Sequence, residues 1–165
     1  MDPLDGTKEF LSRNGEFTIN VALVKEGVPR LGVVGVPVLD SYYLAGTDLG
    51  AFRVSRREID AAFSAADVVG ALAESGRQLP ERQEREQDIV RVVASRSHLN
   101  EMTEAFISAL EEKYGSVELV QSGSAVKLCR VAEGAADYYP RLAPTMEWDT
   151  AAGDAVVRAA GGRVF

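Results

Sequence analysis

Asp2-Pro3-Leu4-Asp5-Gly6-Thr7 places two carboxylates three positions apart and follows them at once with Gly-Thr. Carboxylate oxygens suit hard cations such as Mg²⁺. A glycine lets the backbone approach a ligand closely. A hydroxyl beside such a cation can orient an attacking water. The combination points to metal-assisted phosphate chemistry. A plainer reading of the same residues is an Asp-Pro turn with Asp5 capping a helix. Trp148-Asp149-Thr150-Ala151-Ala152-Gly153 is the second signal. By itself Asp149 reads as a helix cap, and the small residues after it read as close helix packing. Paired with Asp2 and Asp5, it becomes a third carboxylate for one cation site.

Composition narrows the chemistry. Cys129 is the only cysteine and His98 the only histidine, so disulfides, cysteine-rich metal sites and multi-histidine zinc sites are excluded. Any metal must be held mainly by oxygen, which favours Mg²⁺. A net charge of −7 lacks the basic balance of a nucleic-acid binder, so no nucleic acid is expected as partner. A small phosphorylated substrate remains compatible, because bound cations reverse the local field. The 165 residues, 46% hydrophobic and 26% charged, fit one globular unit. No apolar run reaches the roughly 20 residues of a membrane span, and no signal-peptide pattern opens the chain. A cytoplasmic location is expected; oligomeric state is not legible.

The elements that must position these residues follow from periodicity. Lys8–Arg13 reads as a short helix or turn, and Asn14-Gly15 as a turn. Glu16–Val24 alternates as a strand with Phe17, Ile19, Val21 and Leu23 on one face. Further strands are expected over 31–36, 41–45 and 51–54, as an antiparallel meander. The stretch 61–74 is Ala-rich and helical in pattern, and the charge run 80–88 is expected to face solvent. A buried strand over 89–94 precedes a helix over 101–114, capped by Asn100, carrying Met102, Phe106, Ile107 and Leu110 on one face and stopped by Gly115. A strand over 117–120, a helix over 125–133 closed by Gly134, a strand over 136–142 and a helix from about 150 to 160 follow. Arg163-Val164-Phe165 is expected to begin another strand. Cys129 falls on an apolar helix face and reads as core. The first half (1–88) is strand-rich and carries the Asp motif; the second (89–165) alternates strands and helices. A layered α/β protein is predicted.

DPLDGT invites comparison with the Asp-x-Asp-Gly-Thr signature of haloacid-dehalogenase phosphatases. That signature needs a carboxylate nucleophile where this chain has Pro3, so a phosphoaspartate mechanism is excluded. The pair DPLDGT and WDTAAG instead resembles the two signatures of the inositol monophosphatase-like family of Mg²⁺-dependent, lithium-sensitive phosphatases. Lys8-Glu9-Phe10 after the Gly-Thr, SRSH (Ser95–His98), GSAVKLCRVAEG (Gly123–Gly134) and YPRLAPT (Tyr139–Thr145) resemble its 3'(2'),5'-bisphosphate nucleotidase branch.

The resemblance implies an α/β/α/β sandwich of the inositol monophosphatase and sugar phosphatase type. It implies Asp2, Asp5, Asp149 and the carbonyl of Leu4 as Mg²⁺ ligands, Gly6 and Thr7 as the phosphate-binding turn, and Thr7 with Asp2 as catalytic residues. Ser124, Lys127 and Arg141, together with Asp149, match positions that hold a small-molecule nucleotide bisphosphate. Two cationic side chains away from the metals suit a second phosphate. Arg96 and His98 lie near where the family contacts the nucleoside. The implied reaction is direct attack by metal-activated water, without a phosphoenzyme, converting 3'-phosphoadenosine 5'-phosphate to AMP and phosphate in sulfur assimilation. Inositol-phosphate or sugar-phosphate hydrolysis is the alternative within the family. The family pattern also has an acidic motif upstream of DPLDGT and strands beyond position 165. The expectation is therefore a fragment, lacking N-terminal helices and C-terminal strands, that binds nucleotide but turns it over weakly or not at all.

Overall fold

The structure, a computed structural model, describes residues 1–81, 89–94 and 100–165. Residues 82–88 of the charge run 80–88 and the segment 95–99, which contains Arg96 and His98, lie outside the described residues; Glu81, at the start of that run, turns back to pair with Arg53 instead of facing solvent. In chain order the elements are β1 (Asp2–Asp5), α1 (Thr7–Leu11), β2 (Thr18–Lys25), β3 (Val28–Val36), β4 (Ser41–Gly46), β5 (Gly50–Val54), α2 (Arg56–Ala62), α3 (Val68–Ser75), β6 (Arg77–Gln78), β7 (Ile89–Ala94), α4 (Glu101–Tyr114), β8 (Ser116–Gln121), α5 (Val126–Glu133) and α6 (Glu147–Ala159).

Strands β1 to β6 form one antiparallel sheet in sequence order; β2 to β5 are the expected meander, and β1 and β6, not expected as strands, extend it at either edge. Its β2–β3 hairpin turns through Glu26 and Gly27, both at positive φ (55° and 73°), the backbone that matches the twist of paired strands. Strands β7 and β8 pair in parallel, joined by α4. Helices α5 and α6 fill the space between. α6 packs across β2, β3 and β4, α5 packs on α6 and reaches β7, and α4 covers β7 and β8. The layering is therefore sheet, helices, sheet, helix, as the α/β prediction required.

The core lies under α5 and α6, where Val34, Val36, Tyr43, Ala45 and Ala51 of the sheet meet Val126, Cys129, Val156 and Val157. Small residues make the contact close. A Cβ on Gly32 would lie 2.4 Å from the carbonyl oxygen of Ala152, and one on Gly153 would lie 2.4 Å from Leu128 Cδ1. The Ala151-Ala152-Gly153 run is thus packing material as well as part of the motif. A second cluster, Val92, Ile107 and Leu110 with Phe106 and Tyr138 beside it, joins α4 to β7.

Several local expectations change. The alternation of Ile19, Val21 and Leu23 is real, but that face is exposed; the covered face of β2 carries Thr18, Asn20 and Ala22. The helical stretch 61–74 is broken into α2 and α3, because Asp67 caps a new helix by accepting from the Gly70 amide at 3.0 Å. On α4, Met102 is exposed and Thr103 takes the inward position. No strand forms over 136–142. Tyr138 makes a single bridge to Val92, and Pro140, which has no N–H to donate, lies two residues on. α6 begins at Glu147 rather than near 150, and residues 163–165 join no sheet. Cys129 is fully buried in the core, as expected, and burial pushes its thiol pKa up.

Candidate active site

The Asp motif forms an edge strand, not a turn. Alternate residues of a strand point to opposite faces, so positions 2 and 5 would ordinarily diverge. A bulge corrects the phase: Asp2 stands opposite Asn20 and Asp5 opposite Thr18, with the register shifting between them. Three steps on β1 are matched to two on β2, which re-aims a side chain. Asp2, Asp5 and Asp149 each then offer an oxygen within 4.8 Å of the others.

Each carboxylate is oriented through one oxygen. Asp5 Oδ2 accepts from the Ala125 amide at 2.7 Å, the Thr18 hydroxyl at 3.2 Å and Asn20 Nδ2 at 3.4 Å. Asp2 Oδ1 accepts from the Leu4 amide at 3.0 Å. Asp149 sits in the first turn of α6, where Oδ2 accepts from the Thr145 hydroxyl at 3.0 Å and the Met146 amide at 3.4 Å. It is not the cap of the plainer reading, since Met146 holds that position, but it braces the helix start from the first turn while also joining the acidic group. Among the described residues, none of the three forms an ion pair. Burial raises the pKa of Asp5; its three donors lower it, and the nearby Asp149 charge raises it further. Three carboxylates gathered with no ion pair among the described residues, each with donors already fixing its direction, fit a hard cation.

Beside this group a cavity of about 50 Å³ opens, lined by Asp5, Ser124, Lys127, Tyr139, Arg141 and Asp149 among others. Lys127 is 6% exposed, with Nζ 5.6 Å from the Tyr139 ring centre. Burial lowers the pKa of its ammonium, against the pull of Asp5, Glu9 and Glu16 and with the push of Arg141. Arg141 is exposed at the rim. Ser124 lies in the left-handed region (φ 43°) and donates its hydroxyl to the carbonyl of Glu16. Gly6 also has positive φ (84°), and a Cβ there would come within 2.9 Å of both Glu9 Oε2 and Ser124 Cβ. Only glycine allows the chain to leave β1, cap α1 and pass Ser124 this closely. Thr7 opens α1 and is exposed, as is Leu4.

Asp2, Asp5 and Asp149 therefore meet, and Ser124, Lys127 and Arg141 share a cavity with two of them. Periodicity alone did not single out Thr18, Asn20, Tyr139 or Glu16. Alternation along β2 sets Thr18 and Asn20 on the face opposite Ile19, Val21 and Leu23, but it does not say that this polar face is the covered one.

Residues 1–165 match the inositol monophosphatase family. The chain is 42% identical over 166 residues to the 3'(2'),5'-bisphosphate nucleotidase CysQ of Escherichia coli (strain K12), covering 99% of this chain and 56% of that protein. It is 40% identical over 168 residues to CysQ of Buchnera aphidicola subsp. Acyrthosiphon pisum (strain APS), covering 99% of this chain and 53% of that protein. The crystal structure of CysQ from Bacteroides thetaiotaomicron, a bacterial member of the inositol monophosphatase family, superposes with a TM-score of 0.85 at 48% identity, over 97% of this chain and 58% of that one. The chain spans about half the length of the curated relatives it matches. With a match that runs through both Asp motifs and every layer described above, the chain belongs to the inositol monophosphatase family.

Proposed function

We propose that this chain carries metal-binding and nucleotide-binding parts of a Mg²⁺-dependent 3'(2'),5'-bisphosphate nucleotidase that converts 3'-phosphoadenosine 5'-phosphate to AMP and phosphate, in the cytoplasm, as part of sulfur assimilation. The observation that carries this reading is the juxtaposition of an acidic triad, without an ion pair among the described residues, with a cavity that holds a buried lysine and an arginine. The relatives named as nucleotidases support the substrate class.

Asp2, Asp5 and Asp149, with the carbonyl of Leu4, would hold the cation. A bound Mg²⁺ supplies Lewis-acid polarisation of the phosphate and lowers the pKa of a water. The chain's own residues do the rest. Gly6 and Thr7 offer backbone amides to phosphate oxygens at the turn out of β1. The Thr7 hydroxyl accepts a hydrogen bond from the attacking water and aims it at phosphorus. Lys127 and Arg141 neutralise the second phosphate, and Tyr139 walls the lysine off from solvent. Ser124 shapes the turn against which the nucleotide lies. No described helix is long and apolar enough to cross a membrane.

Calorimetric titration in Mg²⁺ tests the reading, with adenosine 3',5'-bisphosphate compared against AMP and inositol 1-phosphate. The bisphosphate is expected to bind tightest. Lys127→Ala is expected to weaken it by about 10- to 100-fold, the loss of one charge-assisted contact, and to spare inositol 1-phosphate. Equal binding of all three, or a Lys127→Ala variant that weakens them equally, would overturn the assignment.

A further inference from the structure

One buried carboxylate outside the metal group ties the two halves of the site together. Glu16 is 8% exposed and follows the Asn14-Gly15 turn, at the mouth of β2. Its Oε2 accepts from the Gly123 amide at 2.9 Å, and its Oε1 from the Ser122 hydroxyl at 3.5 Å. Its own carbonyl accepts from the Ser124 hydroxyl. Three successive residues, 122 to 124, are thus held by one residue more than a hundred positions earlier.

These residues form the joint between β8 and α5. Ser124 is kept there at φ 43°, a conformation that is unfavourable for a non-glycine residue without fixed support. The next amide, from Ala125, donates to Asp5 Oδ2 at 2.7 Å, and Lys127 follows in the first turn of α5. Gly123 admits no side chain, because a Cβ would lie 2.4 Å from Glu9 Cγ. A shift of this joint therefore moves Ser124 and Lys127 relative to the acidic triad.

We infer that Glu16 is a positioning residue for the distal phosphate: its side chain and carbonyl fix the 122–124 turn, and through it the place of Lys127 over the cavity. The inference rests on the bisphosphate reading above. It assigns Glu16 a geometric role rather than an electrostatic one, and two conservative variants separate the two. Glu16→Gln keeps the length and the bonds to Ser122 and Gly123: the amide oxygen accepts from Gly123, and the amide nitrogen donates to the Ser122 hydroxyl, which can also accept. Glu16→Asp keeps the charge and withdraws it by one methylene.

The test combines adenosine 3',5'-bisphosphate affinity in Mg²⁺ with residue-resolved amide exchange on the full chain. Positioning predicts that Glu16→Gln binds within about twofold of wild type and that Glu16→Asp binds about tenfold more weakly. Inorganic phosphate in Mg²⁺, used as the probe of the metal side, is expected to bind both variants like wild type. Exchange of the Gly123 and Ala125 amides should quicken in Glu16→Asp while Ile107 and Leu110 on α4 stay protected, which global destabilisation would not produce. The reverse order of affinities, Gln weak and Asp normal, would show that charge acts and overturn the inference. Unchanged exchange at Gly123 and Ala125 in Glu16→Asp would overturn the clamp whatever the protein binds. A wild-type chain that ignores the bisphosphate would instead overturn the functional reading, and with it the role in substrate placement.

Discussion

Two acidic clusters sit under the same sheet and are solved in opposite ways. Glu133, at the end of α5, is 3% exposed and surrounded by partners. Its Oε1 accepts from the Tyr43 hydroxyl at 2.7 Å and from Arg53 at 2.9 Å, and its Oε2 accepts from Arg130 at 2.9 Å. Arg53 also pairs with Glu81 at 2.7 Å. The phenol of Tyr43 is held protonated chiefly by burial, reinforced by Glu133, whose charge disfavours a phenolate and whose carboxylate accepts the phenol's hydrogen bond. That cluster is neutralised from within and serves the joint between β4, β5 and α5. The group Asp2, Asp5 and Asp149 has hydrogen-bond donors but no ion-pair partner among the described residues. Three partly buried carboxylates without a direct ion pair repel one another unless a cation joins them. The difference teaches how to tell a structural acid cluster from a candidate cation site: count the cations within ion-pair distance of the carboxylates.

The comparison can be broken most severely at Glu133. Glu133→Ala strands Tyr43, Arg53 and Arg130 against one another, and breaking a buried pair of this kind costs about 3 kcal/mol, tempered because both arginines are partly exposed. Denaturant unfolding should show that loss with Mg²⁺ affinity unchanged; a drop in metal binding of comparable size would mean that the two clusters are not independent.

Next in size is Asp5→Asn. It keeps an oxygen for the Ala125, Thr18 and Asn20 donors and removes one charge from the triad. Mg²⁺ affinity is expected to fall about 100-fold, while the metal-free chain gains about 1 kcal/mol, or roughly 2–4 °C in melting midpoint. A metal-free variant that melts lower than wild type would show that the triad is not electrostatically frustrated. The smallest effect is expected at Arg130→Ala. Arg130 is three residues from Glu133 on the same helix, its side chain is 32% exposed, and Tyr43 and Arg53 remain in place. A loss of about 0.5 kcal/mol is predicted, and a loss as large as that of Glu133→Ala would place the whole cluster's stability on one pair.

Much of the scaffold was legible in the sequence because local chemistry set it. Asn100 caps α4 by accepting from the Thr103 amide at 2.8 Å, and Gly115 ends that helix at φ 86°, both as read. Gly134 closes α5 in the same way. Errors arose where a pattern has two equally good realisations. Alternation along β2 says that one face is apolar, not which face α6 covers; the small residues of α6 against Gly32 decided that, and they placed Thr18 and Asn20 inward instead. The strand expected over 136–142 failed for a related reason: apolar content favoured it, but a ladder needs donors, and Pro140 has none.

The sequence by itself determined which residues could act: oxygen ligands only, two Asp motifs, and a lysine and an arginine after the second sheet begins. It also determined the family, since both motifs are dense enough to be matched along the chain. Only the tertiary structure decided that positions 2 and 5 point the same way, because a bulge is a mismatch between two strands and exists in neither alone. It also decided that Asp149 joins them across more than 140 residues, that Lys127 is buried rather than solvated, and that Glu16 holds the turn between them. Each of these is a contact between distant segments, set by how α5 and α6 pack onto the sheet, and no local preference encodes it.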